Sequence, residues 1–145
     1  MASTVTIFNS FRKYAADGTI DLDTDTVKAA LITSAYTVNA THTILADISA
    51  NEVSNGAGYT TGGATLTTPS VTYSGAVAKF SADPALWLAL TKTFRFVLLY
   101  ANVTRNAVVN PLIAIILIDN TPNDIVVTAA DYSIQWSASG IVTFS

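Results

Sequence analysis

The run Pro111-Leu-Ile-Ala-Ile-Ile-Leu-Ile118 constrains the fold more than any other stretch of this chain. It is continuous, apolar and rich in β-branched residues, opened by a proline and closed by Asp119-Asn120. A helix needs about 20 apolar residues to cross a bilayer, so a run this short reads as a strand buried on both faces. Phe94-Arg-Phe-Val-Leu-Leu-Tyr100 has nearly the same character. The two are expected to be the central strands of an all-β domain.

The rest of the chain supports that class. Asn9 to Gly18 is the one helix candidate, with Asn9 or Ser10 as cap and Gly18 as the left-handed stop. Phe8, Phe11, Tyr14 and Ala15 share one face of it, opposite Arg12 and Lys13. That face either lies on the sheet or forms an N-terminal arm for a partner. Val27 to Thr33 reads as a strand, Ser34 to Ala50 as a polar loop anchored by Tyr36, Ile44, Leu45 and Ile48, and Asn55 to Gly63 as a glycine-rich, flexible turn. Short strands then follow one another, punctuated by Pro69, Ser74-Gly75 and Asp83-Pro84. In Ala85-Leu-Trp-Leu-Ala-Leu90, simple alternation puts Leu86, Leu88 and Leu90 on one face and Trp87 on the other. Asn102 to Asn110 reads as a hairpin loop, and Tyr132, Ile134 and Trp136 share a face. Turn signals every eight to twelve residues or so indicate a sandwich or barrel. No linker or repeat divides the chain, so residues 1–145 are expected to form one β-sandwich.

Composition narrows the function classes. Charged residues make up 12% and hydrophobic ones 50%, with a mean hydropathy of +0.44. So few charges poorly cover a free monomer, and apolar patches left exposed usually mark contact surfaces. Net charge is −3 and the seven Lys and Arg are scattered, which argues against a nucleic-acid partner. Cysteine is absent, so thiol chemistry and disulfides are excluded. Met1 to Phe8 has no basic segment ahead of a long apolar one, so neither a signal peptide nor a membrane partner is expected.

Candidate chemical sites fail on spacing. Asp21, Asp23 and Asp25 begin like a calcium loop, but Thr26 and Ile32 stand where glycine and glutamate are required. As alternate residues of a strand they would form a solvated acidic edge, which discourages strand addition. Gly56, Gly58, Gly62 and Gly63 match neither a dinucleotide fingerprint nor a P-loop. His42, the single histidine, lacks the nucleophile elbow of a hydrolase and the co-ligands of a zinc site. Glu52, Asp83 and Asp119 show no spacing that suggests glycoside hydrolysis. No enzymatic activity, metal or cofactor is expected. Interface anchors are expected instead at Phe8, Phe11, Leu86, Trp87, Leu88 and Leu90, with Trp87 divided between core and contact surface.

Several segments together carry a resemblance: Phe8 to Lys13, Ile20 to Leu31, Asn51 to Ser54, Gly58 to Ala64, Pro111 to Ile115 and Ser133 to Val142. Over nearly its whole length the chain resembles a group of small tailed-bacteriophage virion proteins. The resemblance implies a jelly-roll-like β-sandwich acting as a capsid cement, or decoration, protein. It would be made in the bacterial host cytoplasm, sit on the capsid exterior, and hold neighbouring capsomers together by binding the major capsid protein. Self-association is expected, as a two-fold dimer or else a trimer, with Leu86 to Leu90 as the seam. The alternative is a tail- or head-fibre-associated virion protein that binds a receptor or carbohydrate. Ala82 to Phe94 departs from the family pattern, since Asp-Pro and a Leu-rich run replace a more polar stretch, so contacts there are not carried over.

Overall fold

A strand sends successive side chains to opposite faces, so a run without polar residues has to be covered on both. The computed structural model, which describes residues 3–121 and 123–144, meets that demand with a five-stranded antiparallel sheet enclosed from either side. In chain order, β1 (Thr4–Ile7) leads into α1 (Asn9–Ala16), and β2 (Val27–Ile32) follows an acidic turn. A long loop with two 3-10 turns, Leu45–Asp47 and Ser49–Asn51, reaches β3 (Ala64–Thr65). Next come the hairpin of β4 (Ser70–Ser74) and β5 (Val77–Ser81), and the long β6 (Ala85–Phe94). β7 (Phe96–Ala101), the ribbon of β8 (Thr104–Arg105) and β9 (Val108–Val109), and β10 (Leu112–Leu117) follow. β11 (Ile125–Ile134) and β12 (Val142–Phe144) complete the order.

The main sheet runs β1-β10-β7-β2-β3, so the two apolar runs pair with each other, Leu98 opposite Ile115. Ala29 and Leu31 of β2 join Val97 and Leu99 of β7 on one face, closed by Phe11, Phe80, Trp87 and Phe94. Ala30, Ile32, Phe96, Leu98 and Tyr100 point the other way, where Phe8, Tyr36 and Ile48 cover them. The polar loop after β2 therefore roofs one face of the sheet. The fold is all-β with one short helix. Its strands divide into sheets of five, three, two and two, whereas a jelly roll sets eight strands into two facing sheets. A jelly-roll order is not recognisable in this pairing.

Three local expectations are corrected. α1 forms where predicted, but neither Asn9 nor Ser10 caps it. Phe8 occupies the N-cap position without a side-chain bond, and its carbonyl accepts the Phe11 N–H at 3.1 Å. What holds the helix start is the fully buried Phe8 ring, with Phe11 buried one turn later. Second, the stretch from Ile20 to Asp25 is a turn and not an alternating strand. Asp25 N–H donates to the Asp21 carbonyl at 2.8 Å, and the Asp25 carboxylate accepts the Asp21 N–H at 2.8 Å.

Third, β6 loses its phase. Ala89 takes φ of 48° and Ala129 of β11 takes φ of 46°, and the register between the two strands shifts at both places. Each is a β-bulge, where one extra residue opposes the partner strand. Leu86 and Leu88 consequently point outward, while Trp87 and Leu90 both point into the core. Asp131 supports the kink by accepting the Ala89 N–H at 2.9 Å, and the Thr91 hydroxyl accepts the Ala129 N–H at 2.8 Å. The glycine-rich turn packs on this bulge: a Cβ on Gly58 would lie 2.6 Å from the carbonyl oxygens of Leu88 and Ala89. Close backbone approach, more than flexibility, accounts for that glycine.

Candidate interaction surface

The bulge in β6 decides what the outer face of the β6–β11 ribbon offers. Leu86 is 52% exposed, Leu88 61% and Val126 68%. Leu86 stands opposite Ser133, and Val126 opposite Thr93, so the leucines occupy one end of the ribbon and the valine the other. Between them lie Thr91, Thr128 and Ala130, all exposed. A second exposed apolar group belongs to the β4–β5 hairpin, with Val71, Tyr73 and Val77.

Of the six expected interface anchors, Leu86 and Leu88 lie on the surface. Phe8, Phe11, Trp87 and Leu90 are buried in the core, so they hold the fold and present nothing to a partner. The aromatic residues of α1 and the inward half of β6 were indistinguishable from surface anchors by composition, because burial and binding favour the same side chains. Sequence reasoning missed Val126 and the hairpin valines Val71 and Val77, whereas Tyr73 was among the aromatic residues able to line a partner surface. Val126 sits in a run of β-branched residues that gives no sign of which face is covered, and Val71 and Val77 had only Ser74-Gly75 between them to mark a turn.

Several charged and polar groups are engaged within the chain. Arg105 clamps Asp25 through two hydrogen bonds of 3.0 and 2.8 Å, and Asp25 is buried. The solvated acidic edge expected of this stretch is thus corrected at Asp25. Arg95 pairs with Asp124 at 2.8 Å and Lys13 with Asp17 at 2.6 Å. Glu52 accepts hydrogen bonds from the Tyr59 hydroxyl at 2.5 Å and the Gly62 N–H at 2.6 Å, while the Tyr59 oxygen accepts the Leu31 N–H at 3.1 Å. Burial first, and the Glu52 hydrogen bond second, push the Tyr59 hydroxyl far above its ordinary value. Tyr100 donates to the Gly62 carbonyl at 2.7 Å, and burial with the nearby Glu52 charge pushes it up to about 12. This network ties the glycine-rich turn to β2.

The remaining candidates are also structural. His42 is half-buried, its Nδ1 2.9 Å from the Tyr36 hydroxyl. Asp47 accepts the N–H groups of Thr43 and Ile44, and these bonds hold its carboxyl below the usual range. Asp83 accepts from Thr68 across the base of the β4–β5 hairpin, and Asp119 accepts from Thr121 within a local turn. Among the described residues, no group of three or more His, Asp and Glu is placed to hold a metal ion. No helix there is long and apolar enough to cross a membrane. The arrangement presents exposed apolar side chains beside ion pairs and carboxylates that bond within the chain. In comparisons with protein-family models, curated proteins and solved structures, nothing matched this chain.

Proposed function

We propose that this is a structural virion protein that binds the outside of a tailed-phage capsid and stabilises the joints between capsomers of the major capsid protein. The family resemblance of the sequence suggests the role. The observation that carries it is the solvent-facing pair Leu86 and Leu88, with Val126 on the same ribbon, on a chain whose Lys13, Arg95 and Arg105 are already paired internally. A cement protein needs no reacting group. It buries apolar area across a joint, so that pressure from within must break those contacts before subunits part. A standard interface removes about 800 Å² per partner, at about 25 cal/mol per Å², less the entropy of association. Repetition over a shell adds avidity, and a two-fold pair offers identical contact faces to two neighbouring capsomers.

The test is the location and copy number of the protein in purified virions. Hundreds of copies spread over the head are expected, and particles lacking it should assemble but burst at lower temperature or milder osmotic shock. The double substitution Leu86→Asp and Leu88→Asp should leave the free protein folded and abolish its retention on heads. A handful of copies at the tail tip, or glycan binding in solution with intact heads in its absence, would replace this reading with receptor or carbohydrate recognition.

A further inference from the structure

The β4–β5 hairpin leaves one strand edge open. β4 pairs with β5 and, among the described residues, has no strand on its other side. The hairpin closes through Gly75-Ala76, with Gly75 at φ of 59°. A two-residue turn of this kind is flanked by a hydrogen-bonded pair, here Ser74 and Val77. Hydrogen-bonding direction alternates along a strand. Ser70, Thr72 and Ser74 therefore direct their N–H and C=O groups to β5, while Val71 and Tyr73 aim theirs at the open side.

Two further observations bear on that edge. Val71 lies opposite the buried Phe80 and Tyr73 opposite Ala78, so both side chains stand on the face that turns toward the core. At Tyr73 the hairpin has run past the core, and the ring is 84% exposed. Beside Val71 opens a groove of about 780 Å³ whose apolar lining includes Ala15, Ile20, Leu22 and Phe144. In addition, β4 carries no charge, and Pro69 stands just outside it. Open edges are ordinarily guarded by lysine, proline or bulges against strand addition.

We propose that β4 is the seam of a homodimer, paired antiparallel with β4 of a second copy about a two-fold axis at Thr72. In this register Thr72 faces its counterpart, and Val71 of each copy faces Tyr73 of the other. These are the two residues with outward N–H and C=O groups, so the backbone bonds close symmetrically and two three-stranded sheets become one of six strands. Directly opposed residues share a face. Each Tyr73 ring is thereby delivered beside the other copy's Val71, at the mouth of that copy's groove. The contact is self-complementary, as an isologous interface must be, and an uncharged strand brings no like charges together across the axis. The inference specifies the self-pairing invoked for the capsid role and rests on that role only for its purpose, because dimerisation is read in the free protein.

The chain has no cysteine, which allows a register-specific test on the full-length protein. Thr72→Cys is expected to yield a disulfide-linked dimer on mild oxidation, since opposed residues of a non-hydrogen-bonded pair sit within bridging distance. Ser74→Cys, which would face Ser70, is expected to stay unlinked. Analytical ultracentrifugation should show a concentration-dependent dimer, and Tyr73→Lys should weaken it by about tenfold or more, with circular dichroism and melting temperature unchanged. A protein that stays monomeric at its highest soluble concentration, links equally through either cysteine, or dimerises undiminished with Tyr73→Lys would overturn the seam. Intact dimerisation with no head binding would uphold the seam and count against the capsid role.

Discussion

β7 and β4 meet opposite fates. Phe96-Val-Leu-Leu-Tyr-Ala101 and Ser70-Val-Thr-Tyr-Ser74 are both uncharged, and each contains valine and tyrosine. Every residue of β7 is buried, whereas all of β4 except Ser70 is exposed. Coverage differs. β7 has a strand on either side, β6, Phe80 and α1 over one face, and the loop carrying Tyr36 and Ile48 over the other. β4 has one neighbouring strand, and the core ends before Tyr73. Exposure in these two strands follows both their composition and where each stands in the stack, and an uncovered, uncharged strand keeps an edge open to pairing.

Deleting volume from a covered strand position and from an uncovered one should sharpen the contrast most. Leu98→Ala empties a fully buried position and is expected to cost about 2–5 kcal/mol. Leu88→Ala, on the outer face of β6, should change stability by less than about 0.5 kcal/mol. Equilibrium urea unfolding of both variants checks the pair, and comparable losses would contradict the outward phase of Leu88.

Glycine substitutions probe the same divide through the backbone. A Cβ on Gly58 meets carbonyl oxygens of the β6 bulge, whereas one on Gly75 at the hairpin tip meets nothing within 4 Å. Both residues have positive φ, so both pay the left-handed penalty of about 1–2 kcal/mol. Gly58→Ala should add overpacking of about 1–3 kcal/mol, and Gly75→Ala should add none. Melting temperatures that fall equally would show that the turn is not pressed against the bulge.

Tyrosines extend the comparison to pH. Tyr59→Phe leaves the Leu31 N–H and Glu52 without the hydroxyl they share, an expected loss of about 1–3 kcal/mol at neutral pH. Because burial raises Tyr59 and Tyr100 in the folded state, the stability they confer is complete below the ordinary tyrosine value of 10.0. It is lost as pH rises from there toward about 12 for Tyr100 and beyond for Tyr59. Denaturant midpoints should therefore decline on the alkaline side, and Tyr59→Phe should flatten that decline.

The sequence made the central sheet legible because two long apolar runs leave a chain few options, and the helix because its apolar spacing agrees with Gly18 at its end. The β6 bulge left no trace: Ala89 is an ordinary residue, and its positive φ is maintained by Asp131, far along the chain. The acidic turn misled for a related reason. Asp25 looks solvated until Arg105, 80 residues later, is folded against it. Within the candidate surface, Leu86 and Leu88 were legible as apolar residues in a strand, but the buried Trp87 and Leu90 differed from them only through a phase shift. The open edge of β4 is a property of sheet order, which no local pattern encodes.

The smallest expected effect concerns a charge pair outside both regions. Asp17 accepts from Lys13 at 2.6 Å, and from the Thr19 hydroxyl and N–H at 2.6 and 3.0 Å. These bonds, the lysine's foremost, bring its carboxyl down to about 2 from an ordinary 3.8. A carboxyl depressed in the folded state contributes stability above its unfolded value and loses it as pH falls through the folded one. The contribution of Asp17 should therefore disappear between about pH 4 and pH 2, and the pair is exposed enough for salt to screen it. Lys13→Ala should raise the Asp17 carboxyl only part of the way, because the Thr19 bonds remain, and Thr19→Val together with Lys13→Ala should raise it further in an NMR titration, still short of the ordinary value because the Thr19 N–H bond persists. If Lys13→Ala alone restored it, the Thr19 bonds would be contributing nothing in solution, and the turn after α1 would rest on Gly18 and the burial of Ile20 by themselves.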